Sequence, residues 1–312
     1  MCKADKIVVF GSFVVDLTGH TEKFPVPGET VLGKSFKLGP GGKGSNQAVA
    51  AHRAGGNVTL VTKLGKDVFA DVAKSFYHAE GMDTSRLLTD DTLETGTALI
   101  MVNEHNGQNL ILVTIGSCGN ITHADVQKNK ALIQDADILL TQLEINLSAL
   151  TEVIRLAHEG GTAVILNPAP AQALDDALLS MVDIITPNET EAETLTGITV
   201  STAQDAAAAA DVFFQKGVKK VIITMGEKGV YVNDGTRGAL IPPIPVTVQD
   251  TTGAGDAFNG GLAVALAKHM DLFDAARFGN CTGALSVTKS GTAPAMPKRS
   301  DIEALYQAQY SK

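Results

Sequence analysis

The stretch ADILLTQLEINLSALTEVIRLAHEGGTAVILNPAP, Ala136 to Pro170, decides the fold. "ADILLTQLE" is an unalternating apolar run and reads as a strand. "LSALTEVIRLAHEGG" reads as a helix closed by Gly160 and Gly161. "TAVILNPAP" is a second strand, stopped by its prolines. Strand, helix and strand in this order imply parallel pairing with helices covering the sheet.

The same rhythm runs outward in both directions. Upstream, "KIVVFG" and "NVTLVTKLG" read as strands, and "GSNQAVAAHRAGG" and "DVFADVAKSFYHAEG" as helices closed by glycine. Downstream, "VDIITPNETEAETLTG" is a strand, then a helix opened by Asn188. "TAQDAAAAADVFFQKG" is a helix, "KKVIITMGEKG" a strand and turn, and "VYVNDG" with "RGALIPPIPV" further β structure. Helices are expected near Gly255 to Lys268, Leu272 to Thr288 and Ser300 to Tyr310. The pattern predicts an α/β protein with a mainly parallel sheet, whose ligands gather beyond the carboxyl ends of the strands.

Two segments break the rhythm, at about 12–38 and 96–115. "GETVLGKSFKL" suggests an edge ribbon, and "GTALIMVN" and "QNLILVTIG" pair through a turn at Asn106-Gly107. Together they predict a small β-sheet lid over the site. With no linker, repeat or low-complexity tract, residues 1–312 read as a single domain.

Composition narrows the function classes. Against 25 basic residues stand 34 acidic ones, a net charge of −9, which argues against nucleic acid or an anionic membrane as partner. Cys2, Cys118 and Cys281 are scattered and lack metal spacing, as expected of reduced cytoplasmic thiols. Lys3 and Lys6 precede the apolar run Ile7 to Val15, but Asp16 follows at once where a signal peptide needs a small-residue cleavage site. No uncharged run approaches the ~18 residues of a membrane span.

The stretch with the clearest chemistry is "QDTTGAGDAFNGGLAVALAKH", Gln249 to His269. If a helix starts near Ala254, the N–H groups of Gly253, Ala254 and Gly255 are left unpaired at its positive end, a site suited to a phosphoryl group. Asp256 then sits on the first turn beside that anion. A carboxylate there makes sense as a base that takes a hydroxyl proton while the N–H groups hold the phosphate under attack. A helix-stabilising acid with packing glycines is the plainer alternative.

Three further segments are candidates. "LGPGGKGSNQAVAAHRAG" carries Gly39, Gly41 and Gly44 in a G-x-G-x-x-G pattern, but Gly44 follows Lys43 where a Walker A loop has Ser or Thr. Its backbone N–H groups, Lys43 and Asn46 suit a polyhydroxy ligand; a tight loop with a solvated lysine is the plainer alternative. In "TPNETEAE", Asn188 and Glu191 stand at a strand end, either as helix cap and dipole partner or as organisers of a hydrated Mg²⁺ on nucleotide phosphates. "TMGEKG", with Thr224, Gly226 and Gly229, is a hairpin or a turn passing under a nucleotide. Glu144 is an acid at the carboxyl edge of the strand "ILLTQ". The histidines lack metal spacing, and no G-x-S-x-G occurs.

Taken together, "GSFVVDL", "FPVPGET", "GPGGKGSNQAVAAHRAG", "LNPAPA", "DIITPNETEAETLTG", "TMGEKG" and "DTTGAGDAFNGG" resemble the ribokinase family of sugar kinases, the PfkB-type carbohydrate kinases, over nearly the whole chain. The resemblance implies a three-layer α/β/α sandwich with a β lid, often shared across a homodimer, with ATP and Mg²⁺ and a monovalent cation, usually K⁺. It implies Asp256 as catalytic base, Gly253 to Gly255 as anion hole, and Asp16, Gly42, Lys43, Asn46 and Glu144 as sugar contacts. Asn188, Thr224, Gly226, Gly229 and Asn280 take the place of nucleotide contacts, with Gly255 at the phosphate and Glu191 ordering Mg²⁺ through water. Asp250, Thr252, Ser286, Lys289 and Gly291 correspond to the monovalent cation site, mostly through carbonyls.

Two positions depart from that pattern. Val14 stands where ribokinases carry an Asn that helps hold the sugar; an unpaired sugar hydroxyl there costs roughly 1–3 kcal/mol. An apolar residue at this position resembles deoxyribokinases. The expected activity is therefore phosphorylation of the 5-hydroxyl of D-ribose, with 2-deoxyribose or another small carbohydrate as alternatives. Ala295 stands where a Ser often completes the cation site. A sugar- and nucleotide-binding regulator without catalysis is the alternative from another class, and the intact Asp256 and Gly-Ala-Gly argue against it.

Overall fold

A computed structural model describes residues 5–310. Among the described residues the central sheet has nine strands in the order β13-β12-β11-β10-β9-β8-β1-β4-β5. These are β1 Lys6–Phe10, β4 Asn57–Leu64, β5 Leu87–Thr89, β8 Ile138–Gln142, β9 Ala163–Asn167, β10 Ile184–Ile185, β11 Lys220–Thr224, β12 Val230–Asn233 and β13 Gly238–Ile241. Pairing is parallel from β11 across to β5, and antiparallel only where β12 and β13 extend one edge.

The unalternating strands now have their reason. Ile7 and Val9 of β1 belong to one apolar core, while Val8 and Phe10 belong to a second core on the opposite face. On the first face lie α1 Lys43–Arg53, α2 Val68–Glu80, α9 Ala254–Ala267, α10 Leu272–Ser286 and α11 Arg299–Tyr310. On the second lie α3 His123–Lys128, α4 Lys130–Gln134, α5 Leu147–Gly160, α6 Asp176–Leu179, α7 Glu189–Thr196 and α8 Ala203–Gln215. Each buried Leu, Ile or Val contributes about 1.5–3 kcal/mol, so strands with both faces covered are apolar over most of their length. The three-layer sandwich therefore concentrates polar side chains at the carboxyl edge of the sheet.

The two segments outside the rhythm form a second sheet of four strands, ordered β3-β2-β6-β7. They are β2 Val14–Thr21, β3 Ser35–Gly41, β6 Thr95–Asn103 and β7 Asn109–Gly116. Their central pair, β2 with β6, is parallel, because β4 and α2 intervene between them in the chain. The expected ribbon "GETVLGKSFKL" is strand only from Ser35 onward. The helices α3, α4 and α6 and the three-residue β5 were not anticipated; elements this short carry little periodicity. Among the described residues no helix is long and apolar enough to cross a membrane. Cys118 and Cys281 are free, buried thiols, and Cys2 and Lys3 lie outside the described residues.

Candidate active site

The site is built where α9 begins. Gly253 caps the helix in the left-handed region, φ 78°, a conformation that costs an L-residue about 1–2 kcal/mol. This turn aims the backbone N–H groups of the first helical residues into a cleft. The Ala254 N–H, expected to be unpaired, instead donates to the Thr251 carbonyl at 3.2 Å and closes the turn. The N–H groups of Gly253, Gly255 and Asp256 have no protein partner among the described residues. They and the positive end of the helix dipole could hold an anion.

Asp256 is 6% exposed and faces the same cleft. One carboxylate oxygen accepts from Asn46 Nδ2 and the other from Gln47 Nε2, each at 2.9 Å. Burial pushes its pKa up; the Lys43 ammonium and then the Gln47 and Asn46 amides oppose that shift. Burial works against the Lys43 charge in turn, yet Asp256, Glu144 and Glu191 hold its pKa above the ordinary lysine value. Lys43 thus supplies the positive charge that lets a carboxylate and an anion site share one cleft.

Lys43 is placed by the glycine loop. A Cβ on Gly44 would lie 2.4 Å from the Ser12 nitrogen, so only glycine lets the first turn of α1 press against the chain leaving β1. Glu144, just past β8, accepts from the Ser12 hydroxyl and from the Lys43 backbone N–H at 2.9 Å. Asp16 lies on β2, where Val14 is paired with Gly41 and Asp16 with Gly39. Burial, then the like charges of Glu144 and Asp256, push the Asp16 pKa up to about 6 against a hydrogen bond from Thr292. Val14, two residues away, shares the face of β2 that carries Asp16 and is 2% exposed.

The cleft has a volume of about 150 Å³ and lies at the carboxyl ends of β9, β10 and β11. Lys43, Asn188, Glu191, Thr224, Gly253 to Gly255 and Asp256 line it, together with Asn167, Thr186 and Asn259. Asn188 and Glu191 form a reciprocal cap on α7, the plainer of the two readings of that motif, and both also line the cleft. Burial pushes the Glu191 pKa up, partly offset by the Asn188 N–H and Lys43.

Other predicted residues are not on these walls. Gly226 and Gly229 flank the turn after β11, and Asn280 donates to the Pro242 carbonyl at 3.0 Å, beyond Thr224. Gly42 caps α1, and Asn46, on its first turn, donates to Asp256. The segments expected to hold a monovalent cation lie side by side: the Asp250 carboxylate accepts from the N–H groups of Thr252 and Gly291 at 2.9 Å. Ser286 ends α10, Lys289 follows it, and Ala295 is buried.

Several participants went unnoticed in the sequence. Gln47, Asn167, Thr186, Asn259 and Gln142 form a buried polar network behind Asp256. The available signal was a glutamine on the Ala-rich buried face of α1 and polar residues ending apolar strands. Thr292, whose hydroxyl lies 3.2 Å from both the Asp16 carboxylate and the Pro40 carbonyl, gave no signal.

A doubly covered parallel sheet, unpaired N–H groups at a helix mouth and a buried carboxylate beside them form an arrangement that could serve phosphoryl transfer. The chain belongs to the pfkB family of carbohydrate kinases, whose sequence pattern matches residues 4–299. It is 41% identical over 295 residues to the ribokinase of Haemophilus influenzae, covering 95% of this chain and 96% of that one. It is 36% identical over 292 residues to the deoxyribokinase of Salmonella typhi, covering 93% and 95%. The solved structure of Arabidopsis thaliana ribokinase complexed with ribose and ATP superimposes with a TM-score of 0.89 at 29% identity, over 96% of this chain and 98% of that one.

Proposed function

We propose that this protein transfers the γ-phosphate of ATP to the 5-hydroxyl of a pentose, D-ribose, giving ribose 5-phosphate and ADP. The observation that carries the reading is the single turn of α9 that presents free N–H groups and the buried Asp256 carboxylate to one cleft. In this mechanism Asp256 accepts the proton of the sugar hydroxyl as its oxygen attacks the γ-phosphorus and the bond to the bridging oxygen of ADP breaks. The N–H groups of Gly253 and Gly255 take the charge on the phosphoryl oxygens, and Lys43 balances the carboxylates. Asp16, Gly42, Asn46 and Glu144 hold the sugar. The buried Asn46 Oδ1 without a partner suits a sugar hydroxyl donor. The triphosphate lies along Asn188 and Thr224, with the base beyond at Gly226, Gly229 and Asn280. The small sheet acts as the lid of a single domain.

Among the described residues no cluster of three or more acidic, His or Cys side chains is set to cage a metal. Glu191, on the cleft wall beside Asn188, suits Mg²⁺, which keeps several waters and arrives on phosphate oxygens, by holding one of those waters. Bound there, the ion neutralises triphosphate charge. The segments at 250–252 and 286–291, already tied by Asp250, supply the carbonyl oxygens for K⁺. The free thiols Cys118 and Cys281 suit a cytoplasmic setting. A coupled ADP-release assay with ribose, 2-deoxyribose, fructose and a nucleoside tests the reading: ribose gives the highest kcat/KM. Absence of any sugar-dependent ADP release refutes it.

The second reading, a 2-deoxyribose kinase, is favoured by Val14 alone. Restoring a hydrogen-bonding side chain with Val14→Asn is expected to move the ribose over 2-deoxyribose kcat/KM ratio by about ten- to a hundredfold toward ribose. An unchanged ratio removes Val14 from sugar selection.

We also infer a homodimer through the small sheet. Its edge strand β7 exposes Leu110, Ile111, Leu112 and Val113 at 48, 51, 62 and 44%. Such a strand invites a second chain, and an identical sheet offers the matching apolar face. Light scattering is expected to give twice the chain mass for the native protein and the single mass for Leu112→Glu. A native monomer at micromolar concentration contradicts this.

A further inference from the structure

We propose that Gln47 is a positioning residue for catalysis: it holds the Asp256 carboxylate in its attacking orientation and wires it to the carboxyl edge of the central sheet. The inference rests on Asp256 being the base. Gln47 is fully buried in the second turn of α1, so its side chain cannot be a sugar contact. All of its hydrogen-bonding capacity faces inward. The amide nitrogen donates to Asp256 Oδ1 at 2.9 Å and to Asn167 Oδ1 at 3.0 Å, and the amide oxygen accepts from Gln142 Nε2 at 2.6 Å. Asn167 is oriented in turn by donating to the Thr186 carbonyl at 3.0 Å. Rotating the Gln47 amide by half a turn would set donor against donor at Gln142 and acceptor against acceptor at Asp256 and Asn167. Its orientation is therefore dictated by Asp256, which can only accept, and by Asn167 at the end of β9, which the Thr186 carbonyl pins; Gln142, whose own Oε1 has no partner, completes the set from the end of β8.

Asn46 differs in kind. It donates to the other Asp256 oxygen but leaves its own Oδ1 without a partner, so it can answer to a ligand. Gln47 has no such freedom. Close helix packing brings its amide to Asp256: a Cβ on Gly260 would sit 2.5 Å from Ala50 Cβ and 2.7 Å from the Ala51 nitrogen, so α1 and α9 meet at this glycine. A small displacement of a base from its acceptor proton lowers the rate on the order of a hundredfold. Gln47 also favours the ionised form of Asp256, in a surrounding that includes Lys43, Asn46, Asp16, Glu144 and Glu191.

The test compares native protein, Gln47→Met, Gln142→Met, the double variant and Asp256→Asn in the sugar-dependent ADP-release assay. For Gln47→Met, kcat is expected to fall about 10- to 100-fold, with KM for sugar and ATP changed less than about threefold. The acid limb of its kcat/KM profile moves to higher pH, because the base has lost a donor to its charged form. Gln142→Met gives a smaller change of the same kind, and adds almost nothing once Gln47 is gone. If Gln47→Met does not fold, Gln142→Met alone decides by the same two readouts. A pH profile superimposable on the native one, a loss confined to KM, or fully additive losses overturns the proposal. Should Asp256→Asn be inactive while Gln47→Met is native-like, only this inference fails. A native protein without sugar-dependent turnover overturns both.

Discussion

Asp256→Asn is expected to lower kcat by about 10²- to 10⁴-fold, the range for losing a general base, while ATP binding survives. The substitution keeps the shape of a side chain that is 6% exposed, so it creates no cavity. Gln47 continues to donate to the remaining side-chain oxygen. Asn46, whose own oxygen is free, can turn that oxygen toward the new amide. Removing a buried carboxylate beside the anion site also removes a repulsion, so the dissociation constant for MgATP is expected to stay level or fall. Calorimetric titration with MgATP, alongside turnover, checks both halves. Near-native turnover would remove Asp256 from the chemistry. Loss of turnover together with loss of ATP binding would make it a structural residue.

Gly255→Leu has an effect of similar size by a different route. A Cβ on Gly255 would meet no atom within 4 Å, and the residue lines the cleft. A leucine there points into open space that the transferring phosphoryl group needs. Replacing a helical glycine favours the helix by about 0.5–1 kcal/mol, so stability should hold or rise. The expected result is a thermal midpoint at or above the native value, with kcat/KM for ATP reduced by about 100-fold or more. Native turnover with that side chain in place would move the phosphate site elsewhere. The two variants separate the roles of the helix mouth: one removes the base and keeps the anion site, the other closes the anion site and keeps the base.

Most of the three-layer framework was legible because both faces of the sheet are covered. That forces apolar runs such as Ile7 to Phe10 and Ile138 to Leu140, and helices such as α2, α5 and α7 close on glycine. The helix mouth was legible for a related reason. Gly253 in a left-handed conformation, followed by a helix, is a local requirement that leaves a local mark. The network behind it was not legible. Gln47, Gln142 and Asn167 are far apart in the chain and meet only through the packing of α1 on the strand ends. Nothing in a single amide announces its partner. The short helices α3 and α6 were hidden by length, and Thr292 because its contact with Asp16 joins opposite ends of the chain. The Ala254 N–H shows the limit of counting helix-terminal donors, since a tight turn can satisfy one of them from within.

The central claim is that sugar hydroxyl, base and phosphoryl group converge at the first turn of α9. A crystal structure with D-ribose and a non-hydrolysable ATP analogue measures this directly. The account predicts the sugar 5-oxygen within about 2.6–3.2 Å of an Asp256 carboxylate oxygen and the γ-phosphate against the Gly253 and Gly255 N–H groups. A 5-oxygen turned away from Asp256, or a triphosphate seated outside this cleft, would contradict it.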